Sequence, residues 1–306
     1  MDALPQDLPF DPAALRGLSE RLITSHHRNN YGGAVKRLNA LRSELAGTVF
    51  SGAPGYALNG LKREELIASN SMLLHELYFA SLGGDGQPMA PAMQLALEAS
   101  FGSVERWQEE FVALGKALGG GSGWVLLVFQ PREGTLVNQW AADHTHALAG
   151  GVPLLALDMY EHAYHLDFGA AAAAYVDAFM ANIDWARVYL RYQQAVHAAS
   201  EDLGAAQEEV AGRLLLDVRR AGMFESATAL IPGAHWRDPG RVASWMAELP
   251  REREVLVYCV YGHEVGRATA MRLRAAGLKA RYLRGGFDGW KAAGRPLQDK
   301  PAQASA

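Results

Sequence analysis

The sequence predicts two domains: a helical half running into a small α+β half, and behind them a small α/β domain with a parallel sheet. Three observations lead there. Apolar residues recur at helical spacing through roughly the first 120 positions. A glycine-rich break at Gly119–Gly123 opens a stretch of short strands. The last ~90 or so residues alternate strand with helix, the pattern of a parallel sheet. At 306 residues the chain is long for one domain and comfortable for two.

The elements follow in order. Leu18, Leu22, Val35, Leu38, Leu41 and Leu45 mark helix between Leu15 and Leu45. The stretch from Gly47 to Asn59 is a small-residue loop, and Leu61 to Leu82 is a second helix stopped by Gly83-Gly84. Pro91 to Leu118 reads as two helices broken at Phe101-Gly102-Ser103, with Ser103 capping the second. Trp124 to Phe129, Thr135 to Trp140 and Leu154 to Leu157 read as strands, and helix returns from Ala170 to Ala198. An Ala- and Glu-rich stretch is expected to be a helical linker. Beyond it Leu214–Val218, Val255–Tyr258 and Ala280–Leu283 are strand-like, with a helix from Glu264 stopped by Gly277.

Composition excludes several classes. The net charge of −4 and the lack of a Lys/Arg block give no nucleic-acid or anionic-membrane surface. No apolar run is long enough to span a bilayer, and the first residues lack the basic and apolar regions of a secretory signal. Cys259 is the single cysteine, so no intrachain disulfide forms and a cytoplasmic location is expected.

Two segments carry chemistry. In Leu157-Asp158-Met159-Tyr160-Glu161-His162-Ala163-Tyr164, an Asp and a His four apart converge if a strand end turns into a helix. A carboxylate with imidazoles suits iron or manganese better than a thiolate set would. Cys259 lies between a strand and a helix N-terminus, where N–H groups and the helix dipole favour a thiolate.

Asp158-x-x-Glu161-His162-Ala163-Tyr164 resembles the signature of the iron/manganese superoxide dismutase family. The likeness spans roughly residues 4 to 195. Leu8-Pro9-Phe10-Asp11-Pro12 resembles the family's opening. Ser25-His26 with Val35-x-x-Leu38-Asn39, and His75-Glu-Leu-Tyr78-Phe79, resemble its two ligand helices. Phe101-Gly102-Ser103 and Gly121-Ser-Gly-Trp124 are further landmarks. The resemblance implies a helical hairpin plus an α+β half. It implies one iron or manganese ion per subunit, held by His26, His75, Asp158 and His162 with a bound solvent. It implies dismutation of superoxide to dioxygen and hydrogen peroxide. It further implies that Trp124 walls the metal cavity and that Glu161 pairs with a ligating His of a second subunit, hence a homodimer.

The chain departs from the family pattern around that centre. Ala34 and Asn30 stand where the family usually places a funnel Tyr and His, with Tyr31 and Asn29 the nearest replacements. The usual Trp between Asp and Glu is Tyr160. The usual tuning Gln is missing, and His144 is the candidate to bond the solvent, with Ser71 near the alternative position.

Leu216-Asp217-Val218-Arg219, Ile231-Pro232-Gly233-Ala234, the loop Cys259-Val-Tyr-Gly262-His263-Glu264-Val265 and Gly285-Gly286-Phe287-x-x-Trp290 resemble a rhodanese-like domain. This likeness spans roughly residues 208 to 298. It implies a Cys259 thiolate that takes a sulfane sulfur from a donor as a persulfide and gives it to a thiol or cyanide acceptor. The arginine that often follows the cysteine is replaced by Val260, leaving His263 and Arg267 to supply positive charge. The expected domains are thus 1–195, dismutase-like, and 208–299, rhodanese-like. Residues 196–207 form the linker and 300–306 a flexible tail. Two other readings stay open: a sulfurtransferase on a metal-binding dimerisation scaffold, and a redox or persulfide sensor without turnover.

Overall fold

The structure, a computed structural model, describes residues 2–84 and 86–300. Helix comes first. Ser19 caps α1 (Glu20–Ser25) by accepting the Leu22 N–H at 3.1 Å. The helix then widens into a π turn over His26–Tyr31 before continuing as α2 (Gly32–Ala46). The expected single helix is therefore interrupted: the Gly32 N–H bonds the His27 carbonyl five residues back, so one extra residue is accommodated in the turn. After the loop come α3 (Gly55–Ala80), α4 (Pro91–Phe101) and α5 (Val104–Ala117). Ser103 Oγ accepts the Arg106 N–H at 3.1 Å, as its place before α5 predicts.

The strands β1 (Trp124–Gln130), β2 (Thr135–Ala141) and β3 (Val152–Asp158) form one sheet in the order β2-β1-β3. The buried run of β3 ends on Asp158. Helices α6 (His165–Phe168), α7 (Ala172–Met180) and α8 (Trp185–Ser200) follow.

Beyond α8 lie β4 (Gly204–Ala205), β5 (Leu214–Asp217), α9 (Ala221–Glu225), β6 (Ala229–Leu230), β7 (His235–Trp236) and α10 (Val242–Trp245). The chain continues with β8 (Val255–Tyr258), α11 (Glu264–Ala275), β9 (Ala280–Leu283), α12 (Gly286–Ala292) and β10 (Gln298–Asp299). Strands β4-β9-β8-β5-β7 make a five-stranded parallel sheet. Leu216, Val218, Val257 and Tyr282 feed one core cluster and Leu215, Leu256, Tyr258 and Leu283 a second. That alternation is what a strand buried on both faces requires.

The stretch expected as a helical linker over 196–207 is helical only to Ser200, apart from a 3-10 turn over Glu201–Leu203. Gly204 and Ala205 pair in register with Tyr282 and Leu283 as an edge strand. The reason is apolar burial: Leu203 packs on the core and Ala205 is fully buried. The tail expected from 300 is anchored at its first residue, whose N–H bonds the Thr228 carbonyl at 2.8 Å; 301–306 lie outside the described residues.

Contacts gather the chain into two compact units. One comprises Met1–Met89, Gln108–Val128 and Asn138–Val188. The other comprises Ala90–Trp107, Phe129–Val137 and Tyr189–Ala306. No helix among the described residues is long and apolar enough to cross a membrane.

Candidate metal centre and candidate thiol site

Four segments of the first unit converge. The π turn brings His26, α3 brings His75, the end of β3 brings Asp158, and the turn after it brings His162. One donor atom from each lies within 4.8 Å of all the others. Asp158 Oδ2 is 3.1 Å from His26 Nε2, 3.1 Å from His162 Nε2 and 3.5 Å from His75 Nε2. The other oxygen accepts the Tyr160 N–H at 2.9 Å, which fixes the carboxylate. The Tyr175 hydroxyl donates to the Asp158 carbonyl at 2.8 Å and anchors the strand end.

Hydrogen bonding sets the His75 tautomer. Nδ1 donates to the Ser71 carbonyl one helical turn back at 2.6 Å, so Nε2 presents a lone pair to the cluster. That lone pair meets His162 Nε2 at 3.4 Å and a carboxylate oxygen. Burial keeps His26 and His75 neutral, pushing His75 down to about 3. Burial alone would raise the Asp158 carboxyl. The interactions with His162 and His26, each 3.1 Å from Oδ2, overcome it, and Asp158 stays below the usual carboxylate range.

Three imidazole nitrogens facing one ionised carboxylate can turn electron pairs to a shared centre. Ligand atoms bonded at about 2.1 Å to one ion lie about 3 Å apart at a right angle and about 3.6 Å apart at 120°. The separations of 3.1 to 3.5 Å about Asp158 Oδ2, and the 3.4 Å between His75 and His162, fall in that range, so the donor set fits a hard-to-borderline cation. His26, His75 and Asp158 are buried, whereas the His162 side chain is 26% exposed. The cluster therefore opens on one side only.

On that side lies a cavity of about 380 Å³, lined by Asn30, Ala34, Arg37, His144, Tyr160 and His162 among others. Asn29 and Ser71 also line it. His144 stacks on Tyr160 with ring centroids 4.7 Å apart, and its Nδ1 accepts the Trp124 indole N–H at 2.9 Å. Trp124 meets the His75 ring edge-on at 5.3 Å. Tyr31 faces elsewhere: its hydroxyl accepts the Gln6 N–H and donates to Glu76 at 2.9 Å. Glu161 points to the surface. Arg37 is the lining residue that motif reading missed. Its signal was helical spacing, since Asn30, Ala34 and Arg37 follow one face.

The second unit holds the thiol. Cys259 follows β8 directly and is 5% exposed. Its carbonyl and that of Val260 accept the N–H groups of Phe287 and Asp288, each at 2.9 Å, so the closing motif braces the loop. Two glycines make this approach possible. Gly262 and Gly286 have φ of +73° and +58°, and a Cβ on Gly286 would stand 2.5 Å from the Cys259 carbonyl oxygen. Burial raises the thiol pKa, with N–H groups of Gly266, Gly262, His263 and Tyr261 opposing it.

Over Cys259 lies a cavity of about 460 Å³. His263, Glu264 and Val265 line it together with Tyr189, Arg219 and Arg220. Arg267, expected to serve the loop with charge, is committed elsewhere. Its Nε bonds the Gly262 carbonyl at 3.0 Å and it pairs with Glu201 at 3.3 Å. Arg219 is bound to Asp217, with Nε 2.9 Å from Oδ2, and Tyr258 bonds the same oxygen. The sequence reading did not single out Arg220 or Tyr189. No motif marks them, because the first follows a more conspicuous arginine and the second sits on a helix far along the chain.

Known families match both parts. Residues 89–191 match the iron/manganese superoxide dismutases, C-terminal domain, and residues 199–293 match a rhodanese-like domain. The chain is 67% identical over 189 residues to a superoxide dismutase [Fe] of Cupriavidus metallidurans, an alignment covering 62% of this chain and 95% of that protein. It is 36% identical over 194 residues to superoxide dismutase [Mn] 2 of Haloferax volcanii, covering 62% and 94%. A superoxide dismutase [Fe] of Aquifex pyrophilus is 33% identical over 195 residues, covering 61% and 90%. Nearly the whole of each relative is thus matched by the part of this chain that holds the four-donor cluster, and the chain belongs to the iron/manganese superoxide dismutase family, with a rhodanese-like domain following.

Proposed function

We propose that the first part of the chain dismutates superoxide. The observation that carries this is the convergence of His26, His75, Asp158 and His162 at the floor of a one-sided cavity. These four would hold one iron or manganese ion. The bound ion supplies reversible one-electron exchange, so that two superoxide anions and two protons become dioxygen and hydrogen peroxide. The chain does the rest. Arg37 lines the cavity, where it is paired with Glu64, so what it offers an anion is the guanidinium N–H groups that Glu64 leaves free. The Trp124 N–H occupies His144 Nδ1, so the neutral ring carries its proton on Nε2 and can offer it to solvent in the cavity. The buried Tyr78 and Tyr175 hydroxyls, 3.3 Å apart, back Asp158 and keep water from the closed side. The exposure of Glu161 supports a homodimer through this face, as in the family. A single, buried, unpaired cysteine supports a reducing, cytoplasmic setting.

The decisive experiment is superoxide decay normalised to bound iron and manganese, beside His162→Ala. Fast metal-dependent decay lost in the variant is expected. Full metal occupancy with decay at the rate of free solution would overturn the reading.

The braced loop and the cavity over Cys259 support a second activity, transfer of sulfane sulfur from a donor to a thiol acceptor. Cyanide-dependent thiocyanate formation, lost in Cys259→Ser, tests it.

A further inference from the structure

We propose that the cavity over Cys259 selects an amino-acid persulfide, holding its carboxylate at Arg220 and its ammonium at Glu264. This rests on reading Cys259 as the sulfur-transfer nucleophile. The basis is a pair of opposite charges in one cavity, neither in an ion pair among the described residues.

Arg220 lines the cavity and is half-buried. It makes no ion pair and no side-chain hydrogen bond among the described residues. The other cations near the loop are occupied: Arg219 by Asp217, Arg267 by Glu201 and the Gly262 carbonyl. A partly desolvated guanidinium without a counter-ion is a fork for a planar carboxylate.

Glu264 lines the same cavity and is 5% exposed. Its carboxylate has no cation within ion-pair distance among the described residues. It accepts instead from two neutral donors on α8, the Tyr189 hydroxyl at 2.6 Å and the Gln193 amide at 3.3 Å. A carboxylate offers about four acceptor positions, so capacity remains for an ammonium. Tyr189 and Gln193 are positioning residues: they hold the carboxylate in place without neutralising it.

A dianion such as thiosulfate would meet the Glu264 charge beside the nucleophile. A zwitterion satisfies both charges, and about 460 Å³ is ample for one. In the transfer, the Cys259 thiolate attacks the outer sulfur of R–S–SH. The new bond joins Cys259 Sγ to that sulfur, the S–S bond of the donor breaks, and R–S⁻ leaves as the thiolate. The proton stays on the transferred sulfur, and no external oxidant or reductant is needed.

The test separates recognition from turnover. Full-length Cys259→Ser is titrated with S-methylcysteine, with 3-(methylthio)propionate, which lacks the ammonium, and with 2-(methylthio)ethylamine, which lacks the carboxylate. S-methylcysteine should bind tightest. Arg220→Gln and Glu264→Gln, each in the Cys259→Ser chain, should each weaken it about tenfold or more. Arg220→Lys, which keeps charge without the fork, should fall between. Thermal melting confirms that each variant is folded. Equal affinity for the three compounds, or variants that bind like the parent, would overturn the proposal. If the unaltered chain still forms thiocyanate from thiosulfate in a Cys259-dependent way, only the zwitterion site falls. If it transfers sulfur from neither thiosulfate nor cysteine persulfide, the reading of Cys259 falls, and this proposal with it.

Discussion

The Trp124 indole nitrogen stands 2.9 Å from His144 Nδ1, and that one bond determines which nitrogen of His144 carries the proton. The ring is then stacked on Tyr160 at 4.7 Å, along the wall of the cavity that reaches His162. A partner that donates to Nδ1 leaves Nε2 as the donor.

His144→Leu should therefore keep its metal and lose dismutation, roughly ten- to hundredfold. His144→Gln should restore much of that loss. Rates of superoxide decay per bound metal ion measure both. A His144→Leu chain as fast as the parent would remove His144 from the mechanism.

Asp158 is the only anionic donor in the cluster. Asp158→Asn keeps the shape and the bond from the Tyr160 N–H but removes the charge that faces three imidazoles. Metal content after dialysis should fall at least about tenfold. The melting temperature should approach that of the metal-free chain, because a ligand that binds only the folded state stabilises it by mass action. Metal analysis and thermal unfolding check the two halves separately.

Burial raises the Cys259 thiol, against four opposing N–H groups. In the unfolded chain a thiol titrates near 8.5, about the ordinary value. Above that pH the unfolded chain releases a proton that the folded chain keeps. This contribution to stability is therefore whole below about pH 8.5 and is lost as pH rises through the folded value. Alkylation of Cys259 by iodoacetamide at pH 8.5 should be slower than that of free cysteine and should gain on it at higher pH. A rate equal to that of free cysteine would show that the N–H groups prevail.

Arg272 is a buried cation with no carboxylate partner among the described residues. Its Nε donates to the Gly134 carbonyl at 2.9 Å and its terminal nitrogen to Ser100 Oγ at 3.0 Å, all inside the second unit. Arg272→Met removes both bonds, although Ser100 Oγ keeps the Leu136 N–H, and should destabilise that unit by about 1–3 kcal/mol. Denaturant unfolding followed by tryptophan fluorescence measures it. An unchanged midpoint would mean that relief of the buried charge offsets the lost bonds.

Much of this architecture is legible in the sequence, for identifiable reasons. Asp158 and His162 are four apart across a strand end, so their meeting needs only a local turn. The parallel sheet shows in Leu214–Val218 and Val255–Tyr258 because strands buried on both faces are continuously apolar. The π turn is not legible, since no apolar residue between Ile23 and Tyr31 marks the helical phase. Nor is β4: two residues carry no period, and their pairing with β9 depends on a partner ~80 positions away. Arg220 is invisible for a different reason. It adjoins Arg219, and only coordinates show which of the two Asp217 takes.

The π turn at His26–Tyr31 makes the cavity sensitive to chain length more than to side-chain identity. Each helical residue turns the chain by about 100°. Removing one residue between His27 and Tyr31 would close the wide turn into ordinary helix and swing everything before it by that angle. His26 would leave Asp158, although every residue type needed at the centre was still present. The cavity wall beyond the turn, Ala34 with Arg37, can exchange side chains while the donors stay in place. The turn works as a phase setting between two stretches of one helix, one registered to the donor cluster and the other to the route by which anions reach it.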